Sequence, residues 1–378
     1  MSEINASNFK KEHGDLAPDL VGVTELTSPY FFVPPSGDTA SRPSDCEPGT
    51  LRFNTDIGSL EVFRGKTIGW EQIQRRDSQY LGGGTGSNTG TGTRLLIMGG
   101  NGAPANLDII EYVTVESKGN SQDFGDLTES FPFSDDGACS SNVRALVSGA
   151  NNNNVDFITI PSLGNGTAFG DYHGNMQSSA FSNNIRGIFA GGYNPQPSVV
   201  NTIGYFTISQ QSDSFDFGDL TSAMRGMASI SSSTRGVYAG GATPSKLNII
   251  QFVTIMTTGN TTDFGDLITA KDFAAGGSNA TRGTISGGRT PSQVNVIEFI
   301  TIATVGNAVD FGDLTVARGE FSGSSSKIES VMVGGSTGSV VNTIDFIAIA
   351  SGGNAQDFGD LVSARYHASA TTNGHGGI

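Results

Sequence analysis

The hydrophobic and polar positions of this chain repeat along most of its length, and residues 281–326 show one copy of the pattern. Residues 281–288 are predicted to form a strand that ends in a glycine doublet. After a polar turn, residues 294–302 predict a longer strand that is apolar on both faces, followed by strands at 309–315 and 319–326, the last built from small residues. A strand with two apolar faces needs cover on both sides, and neighbouring copies of the repeat can supply it.

A short motif marks each copy of the repeat. Asp-Phe-Gly-Asp-Leu occurs five times and Ala-Phe-Gly-Asp-Tyr once, with phenylalanines 45, 48, 47, 47 and 47 residues apart. These phenylalanines are Phe124, Phe169, Phe217, Phe264, Phe311 and Phe358. A second aromatic residue precedes each by 12 positions: Tyr112, Phe157, Tyr205, Phe252, Phe299 and Phe346. We expect both series to form the structural core, because a single short repeat cannot bury its apolar faces alone. The motif glycine is expected in a turn, where the motif aspartate can bond backbone amides.

The spacing and the two ends of the repeat region predict the architecture. Four strands in about 47 residues are typical of a propeller blade. The first copy begins at residues 93–100 with no small-residue strand before it, whereas residues 364–372 supply a surplus strand of that kind. Pairing of these ends would remove two free sheet edges. The sequence therefore predicts an all-β fold in which residues 93–378 form a six-bladed β-propeller closed by the C-terminal strand.

Basic residues recur at two positions of the repeat. The first series lies five residues before the glycine doublet, with Glu329 in the sixth copy: Arg94, Arg144, Arg186, Arg235 and Arg282. The second follows the motif phenylalanine by seven or eight residues: Arg225, Lys271, Arg318 and Arg365. We expect arginine–aspartate bridges within or between blades. A ring of cations that binds an anion, or simple solvation, are the alternatives.

The composition narrows the function. A net charge of −15 argues against binding to a nucleic-acid backbone. No apolar run reaches 18 residues, so no membrane insertion is expected. Cys46 and Cys139 are expected to be isolated thiols. Histidines 13, 173, 367 and 375 share no register, acidic residues do not cluster as calcium ligands, and no nucleophile motif stands out. We therefore predict no catalytic residues, cofactor or metal, although two converging carboxylates for sugar hydrolysis stay open.

The chain before the repeats is expected to attach the protein to partners. Residues 1–48 are predicted to be an extended N-terminal arm, 49–80 a β-hairpin attachment module, and 81–92 a flexible Gly/Ser/Thr linker. Strands at 51–54 and 59–63 would form the hairpin, with Trp70 covering its apolar side. The apolar residues expected to anchor the arm to a partner, besides Trp70, are Tyr30, Phe31, Phe32 and Val33.

Residues 48–71 resemble a short unit common in tail-fibre and other virion proteins of tailed bacteriophages. In that unit Gly-x-Leu-x-Tyr/Phe-Asn-Thr is followed by Leu-Glu-Val-Tyr/Phe and then by Trp, as at Gly49 to Trp70 here. The Asp-Phe-Gly-Asp-Leu repeat is similar to repeat proteins of large tailed phages of marine cyanobacteria. The glycine doublets resemble those of kelch-type propellers, although the Tyr and Trp that usually follow them are missing.

These resemblances imply a non-enzymatic virion structural protein, present in multiple copies. Residues 1–80 would bind other virion proteins, and the propeller would project as a fibre, adhesin or decoration module. The propeller could contact a glycan or protein of the host surface. A glycan-active depolymerase with its site on a propeller face, or a cellular kelch-like binding scaffold, are the alternatives.

Overall fold

The structure, a computed structural model, describes residues 34–43, 45–56, 59–67, 69–72, 93–102, 104–133, 135–149, 153–172 and 176–378. These residues form strands and turns without a helix, which confirms the all-β prediction, and so no helix in them could cross a membrane. The chain divides into two compact units, residues 1–75 and 76–378. Tyr30, Phe31, Phe32, Val33 and the predicted linker lie outside the described residues.

The first unit contains one four-stranded sheet. Its strands are β1 (Ser36–Gly37), β2 (Leu51–Asn54), β3 (Ser59–Phe63) and β4 (Trp70–Gln72), paired in that order. The predicted hairpin is present as β2 and β3, with Phe53 opposite Leu60, and β1 adds to β2 in the parallel sense. Trp70 packs against Phe63 with ring centroids 5.5 Å apart, and its indole N–H donates to Pro43 O at 3.1 Å.

The second unit contains six four-stranded antiparallel sheets, numbered I to VI along the repeats. Sheet I has β30 (Ser369–Thr372), β5 (Arg94–Met98), β6 (Ile109–Thr114) and β7 (Gln122–Asp126). Sheet II has β8 (Ala138–Ser140), β9 (Arg144–Ser148), β10 (Asn154–Thr159) and β11 (Thr167–Asp171). Sheet III has β12 (Ser179–Ser182), β13 (Arg186–Ala190), β14 (Thr202–Thr207) and β15 (Phe215–Asp219).

Sheets IV to VI continue the same order of strands. Sheet IV has β16 (Ala228–Ser231), β17 (Arg235–Ala239), β20 (Ile249–Thr254) and β21 (Thr262–Asp266), and a small separate pair is formed by β18 (Ala242–Thr243) and β19 (Ser245–Lys246). Sheet V has β22 (Ala275–Ser278), β23 (Arg282–Ser286), β24 (Val296–Thr301) and β25 (Val309–Asp313). Sheet VI has β26 (Ser322–Ser325), β27 (Glu329–Val333), β28 (Thr343–Ala348) and β29 (Gln356–Asp360).

The C-terminal strand belongs to the first sheet. β30 pairs with β5, with Ser369 opposite Met98. The first strand of each sheet, here called the small-residue strand, is β30, β8, β12, β16, β22 or β26. These strands contact one another in the order β8, β12, β16, β22, β26, β30 and again β8.

Apolar side chains fill the space between neighbouring sheets. The six motif phenylalanines are only 2–5% exposed. Each meets the aromatic residue 12 positions earlier edge to face, with centroids 5.8–6.1 Å apart. The second series is half-buried. The core therefore consists of equivalent layers between sheets, as expected for a repeat whose strands are apolar on both faces.

The motif glycine lies on the fourth strand at a β-bulge, not in a turn as predicted. Gly265 has φ +147°, and a Cβ there would lie 2.5 Å from the carbonyl oxygen of Gly306 in the next repeat. Beside it, the backbone N–H of Asp266 donates to Asn307 Oδ1 at 3.1 Å. The bulge thus brings the outer edge of one sheet against a loop of the next. The same contact joins sheet VI to sheet I, where Asp360 N–H donates to Asn120 Oδ1 at 3.0 Å.

Candidate functional site

The first arginine series does not bridge to aspartates, so the prediction for it is wrong. Arg235 lies with its guanidinium carbon 4.2 Å from the ring centre of Phe252 and donates to Ile302 O of the next sheet at 2.8 Å. The other four arginines make the equivalent two contacts. A half-buried aromatic face and an unused carbonyl lie within reach, whereas the first motif aspartates are exposed on the outer strands. Cation–π attraction therefore holds each arginine against its own sheet, and the charge-assisted hydrogen bond joins that sheet to the next.

The sixth copy replaces this arginine by Glu329, and a lysine of the first repeat compensates. Lys118 pairs with Glu329, lies 4.0 Å from the ring centre of Phe346, and donates to Val115 O at 3.2 Å. Val115 is the repeat equivalent of the isoleucine carbonyls that accept from the arginines. The same kind of contact is therefore made between sheets VI and I by a cation from the opposite side.

Three members of the second basic series form buried ion pairs, but only Arg318 pairs with an aspartate, and none pairs with an aspartate of the motif. Lys271 pairs with Glu298 at 2.7 Å, Arg318 with Asp345 at 3.0 Å, and Arg365 with Glu111. Burial lowers the pKa of each of the three cations, while the partner carboxylate opposes the shift. The acidic partners lie on the third strands and not in the repeated motif, so the sequence indicated the cations but not their partners.

Serine and threonine hydroxyls connect the small-residue strands. The last residue of each strand carries a hydroxyl group: Ser140, Ser182, Ser231, Ser278, Ser325 and Thr372. Ser278 Oγ, for example, donates to Ser231 O at 2.8 Å, and five such links join neighbouring strands, including Ser140 Oγ to Thr372 O at 2.7 Å. We call this set the hydroxyl belt. In the sequence these positions stand out only as small, although Ser231, Ser278, Ser325 and Thr372 follow one another at intervals of 47 residues.

The C-terminal segment enters the belt between Ser182 and Ser231. His375 Nε2 lies 3.2 Å from both Ser182 Oγ and Ser140 O, and burial lowers the pKa of His375 to about 4. A Cβ at Gly377 would lie 1.9 Å from Ser182 O, so the backbone fits tightly. The cavity left among the small-residue strands is about 30 Å³, enough for one or two water molecules. The centre of these strands is therefore filled and is not an open channel.

A buried carboxylate binds the other end of the small-residue strands. Asp136 accepts hydrogen bonds from Ser322 Oγ at 2.7 Å and from the N–H groups of Ser229, Gly276 and Gly323 at 3.2–3.4 Å. Burial raises the pKa of Asp136 to about 7, although these donors favour its charged form. One side chain of sheet II thus holds strands of sheets IV, V and VI together.

A residue two positions before each small-residue strand, or three positions before it in sheet II, adopts a left-handed conformation with φ between 40° and 63°. These residues, here called the left-handed ring, are Asp135, Gln177, Gly226, Phe273, Glu320 and His367. Five of them donate their N–H to the carbonyl of the equivalent residue in the preceding repeat, and Gln177 donates to Phe133 O. Only glycine adopts this conformation without strain, and other residues cost about 1 kcal/mol or more. The backbone therefore does not explain why five non-glycine residues are used here.

Charged side chains surround His367 in this ring. His367 Nδ1 pairs with Asp135, and Arg289 pairs with Glu320, while Lys246 lies 3.1 Å from Asp272. Burial alone would lower the pKa of His367, but Asp135 and then Glu320 outweigh it and raise the pKa. The second carboxylate oxygen of Asp135 is buried without a hydrogen-bond partner in the part of the chain that the structure describes. The acidic partners of His367 lie 232 and 47 residues away in the chain, so no local pattern in the sequence marks them.

A surface pocket of about 350 Å³ lies beside this cluster, between the loops that follow the glycine doublets of sheets III and IV. Arg225 forms part of its wall. The guanidinium carbon of Arg225 lies 5.2 Å from the ring centre of Tyr193 and 5.4 Å from that of Phe273. One of its N–H groups donates to Gln177 Oε1 at 3.0 Å. For Arg225 the bridging prediction is therefore wrong.

Among the other residues named from the sequence, Trp70 and the two cysteines are within the described ranges. Trp70 belongs to the first unit, where Arg52 lies 5.7 Å from its ring centre. Cys46 and Cys139 are unpaired, as expected. Within the described ranges, no group of three or more His, Cys, Asp or Glu side chains is arranged to hold a metal ion. No family model matches the chain, and no curated protein matches it.

Proposed function

We propose that residues 93–378 form a six-bladed β-propeller closed by the C-terminal strand, and that it serves as a non-enzymatic structural and binding module of a virion. The observation that carries this proposal is that the last and first repeats meet through contacts that also join the other repeats. Asp360 bonds Asn120, Arg365 pairs with Glu111, and Lys118 pairs with Glu329. The contact of Asp360 with Asn120 is also made between successive repeats elsewhere, as by Asp266 and Asn307, and this recurrence supports a closed series.

The non-enzymatic reading is supported by the use of the polar groups inside the second unit. The hydroxyl belt, Asp136 and His375 join strands and fill the centre, and three buried cations join sheets. Groups fixed in this way stabilise the framework and are not directed at a substrate. The His367 cluster favours the alternative, a glycan-active enzyme, because it combines a histidine with two carboxylates.

The virion assignment rests on residues 48–71, which resemble the tailed-phage unit, and on the separate compact unit that contains them. In this proposal residues 1–80 bind other virion proteins in multiple copies, and the propeller is displayed at the virion surface. The propeller then contacts a glycan or protein of the host.

The test uses antibodies against the full chain and electron microscopy of phage particles from cultures that produce the protein. Gold labels at fixed sites of the particle are expected. Unlabelled particles, with the protein recovered only from the cell fraction, would contradict the virion assignment. A parallel assay incubates the chain with surface polysaccharide of the host and measures reducing ends. Release that is lost in Asp135→Asn or Glu320→Gln would favour the enzyme instead.

A further inference from the structure

Arg225 occupies a different place from the other basic residues of its series. Lys271, Arg318 and Arg365 each pair with a buried carboxylate. In the fourth repeat Met224 takes the equivalent position, and its sulfur lies 3.1 Å from Nε2 of Gln251, which replaces the acid. Arg225 follows one position later and lies at the surface pocket. The contact that a buried ion pair makes in the other three places is therefore made here by Met224 and Gln251, without Arg225.

Two loops build the pocket around Arg225. Tyr193, Pro197 and Val199 come from the loop of sheet III, Thr243 comes from β18, and Pro244 forms the turn between β18 and β19. The floor is fixed because Ala242 N–H donates to Arg225 O at 3.0 Å. A volume of about 350 Å³ lies within the range of small-ligand sites.

The guanidinium of Arg225 is held in place but retains donors for a ligand. The rings of Tyr193 and Phe273 lie on it, and Gln177 accepts one of its N–H groups. A guanidinium carries five N–H donors in a fixed planar fork. No carboxylate in the described ranges forms an ion pair with it. Such a fork binds a carboxylate through two parallel hydrogen bonds.

The other walls indicate what carries the carboxylate. Tyr193, Pro197, Val199 and Pro244 offer flat apolar surfaces, which suit the C–H face of a sugar ring, and Thr243 can bond a sugar hydroxyl. β18 pairs with β19 on one side and bridges from Ala242 to Arg225 on the other, so β18 has no free edge along which an acidic peptide could extend. The net charge of −15 opposes close approach of a polyanion, which favours recognition of one carboxylate at a time.

We propose that the Arg225 pocket binds a carboxylate-bearing sugar, such as one uronic acid residue of a surface polysaccharide. This inference deepens the proposed function, in which the propeller contacts the host surface, and rests on it for its biological context. Arg225 binds the carboxylate, Tyr193 and the two prolines pack against the ring, and Gln177 orients the guanidinium.

The experiment titrates the full-length chain with methyl glucuronide and, as the matched neutral ligand, methyl glucoside, by NMR or calorimetry. Saturable binding of the glucuronide is expected, at least tenfold tighter than that of the glucoside, and weaker at high salt. Arg225→Met retains the packing between the two rings but removes the donors, so it should reduce glucuronide affinity at least tenfold. Arg289→Met, which removes a neighbouring cation outside the pocket, should leave this affinity within about twofold.

Equal binding of the two sugars, or glucuronide binding that persists in Arg225→Met, would overturn the proposal. A short acidic peptide that binds at Arg225 as tightly as the glucuronide would overturn the choice of sugar. The melting temperature of each variant shows whether it is folded, and Arg225→Gln serves as a second variant if the methionine variant unfolds. If antibodies label the phage particles but the protein does not bind glucuronide, only the assignment of the Arg225 pocket is contradicted. Glucuronide binding by a protein that particles lack would remove the virion assignment and leave the pocket assignment standing.

Discussion

The buried pair of Arg365 and Glu111 can be used to test how much an ion pair between neighbouring repeats stabilises the protein, and whether the first and last repeats meet. Arg365 pairs with Glu111 and also donates to Gly99 O and Ile109 O, each at 3.1 Å. Both side chains are almost fully buried. The fourth repeat has Met224 and Gln251 at the equivalent positions, so the chain itself contains an uncharged version of the same contact.

The magnitudes follow from burial. Arg365→Met leaves Glu111 buried without its cation, and Glu111→Gln leaves the guanidinium of Arg365 without its carboxylate. Removing one partner of a buried pair costs about 3–5 kcal/mol. The double variant reproduces the pair of Met224 and Gln251, and uncharged replacements of buried pairs are often neutral or stabilising. We therefore expect it to lie within about 1 kcal/mol of the wild type, with a coupling energy of several kcal/mol.

Urea unfolding of the four proteins measures this, provided that the slope m is the same in all of them. The matched control is the pair Arg318 and Asp345, which joins sheets V and VI away from the chain ends. Its single and double variants, Arg318→Met and Asp345→Asn, should show coupling of the same sign. Additive costs for Arg365 and Glu111, so that the double variant is the least stable, would refute the reasoning. Coupling in the control but not at Arg365 would show that the first and last repeats do not meet in solution.

Three further predictions concern single contacts. Gly265→Ala should lower the unfolding free energy more than Gly306→Ala, because both have φ near +150° but only Gly265 has a carbonyl 2.5 Å from the added Cβ; equal losses in urea would contradict this contact. Lys118→Met should lower the free energy of unfolding by about 1 kcal/mol. Adding Glu329→Arg to this variant should restore stability, because it supplies the arginine that the other repeats have at this position. A further fall of the melting temperature in the double variant would show that Lys118 does not replace that arginine. Folding lowers the pKa of His375 from 6.5 to about 4, so the stabilisation from its neutral form is present above pH 6.5 and is lost as the pH falls through 4. Relative to His375→Gln, the free energy of unfolding of the wild type should fall by about 3 kcal/mol over this range. Parallel pH profiles of the two proteins would contradict this prediction.

The sequence predicted the features that depend on periodicity. The four-stranded repeats, the hairpin β2–β3 and the pairing of β30 with β5 follow from alternating apolar positions and from a surplus strand, which are local properties of the chain. The motif glycine was placed in a turn because glycine favours turns. Its actual place at a bulge depends on the approach of the next repeat, which local reasoning does not contain.

Most contacts of the candidate site could not be predicted from the sequence. The first arginines carry the right charge for aspartates, but the faces of aromatic rings and backbone carbonyls lie closer, and neither shows as a charge pattern. A left-handed conformation of Phe273, Glu320 or His367 is invisible because these residues rarely adopt it. The exchange of Lys271 and Glu298 for Met224 and Gln251 between repeats was readable, however, and would have shown that Arg225 is outside the framework.

The loops after the glycine doublets and the left-handed ring belong to the same end of the sheets. Bridges join them directly, as between Arg225 and Ala242 and between Asp272 and Arg289. At the opposite end and at the outer strands, equivalent residues repeat because each contacts the neighbouring sheet. A different side chain there would disturb that contact. At this end the six copies differ in sequence, while five of the six backbone bonds of the ring remain equivalent. Substitutions in the loops after the glycine doublets therefore change the surface without removing the buried ion pairs, which makes these loops the place where one repeat scaffold can acquire a specific ligand.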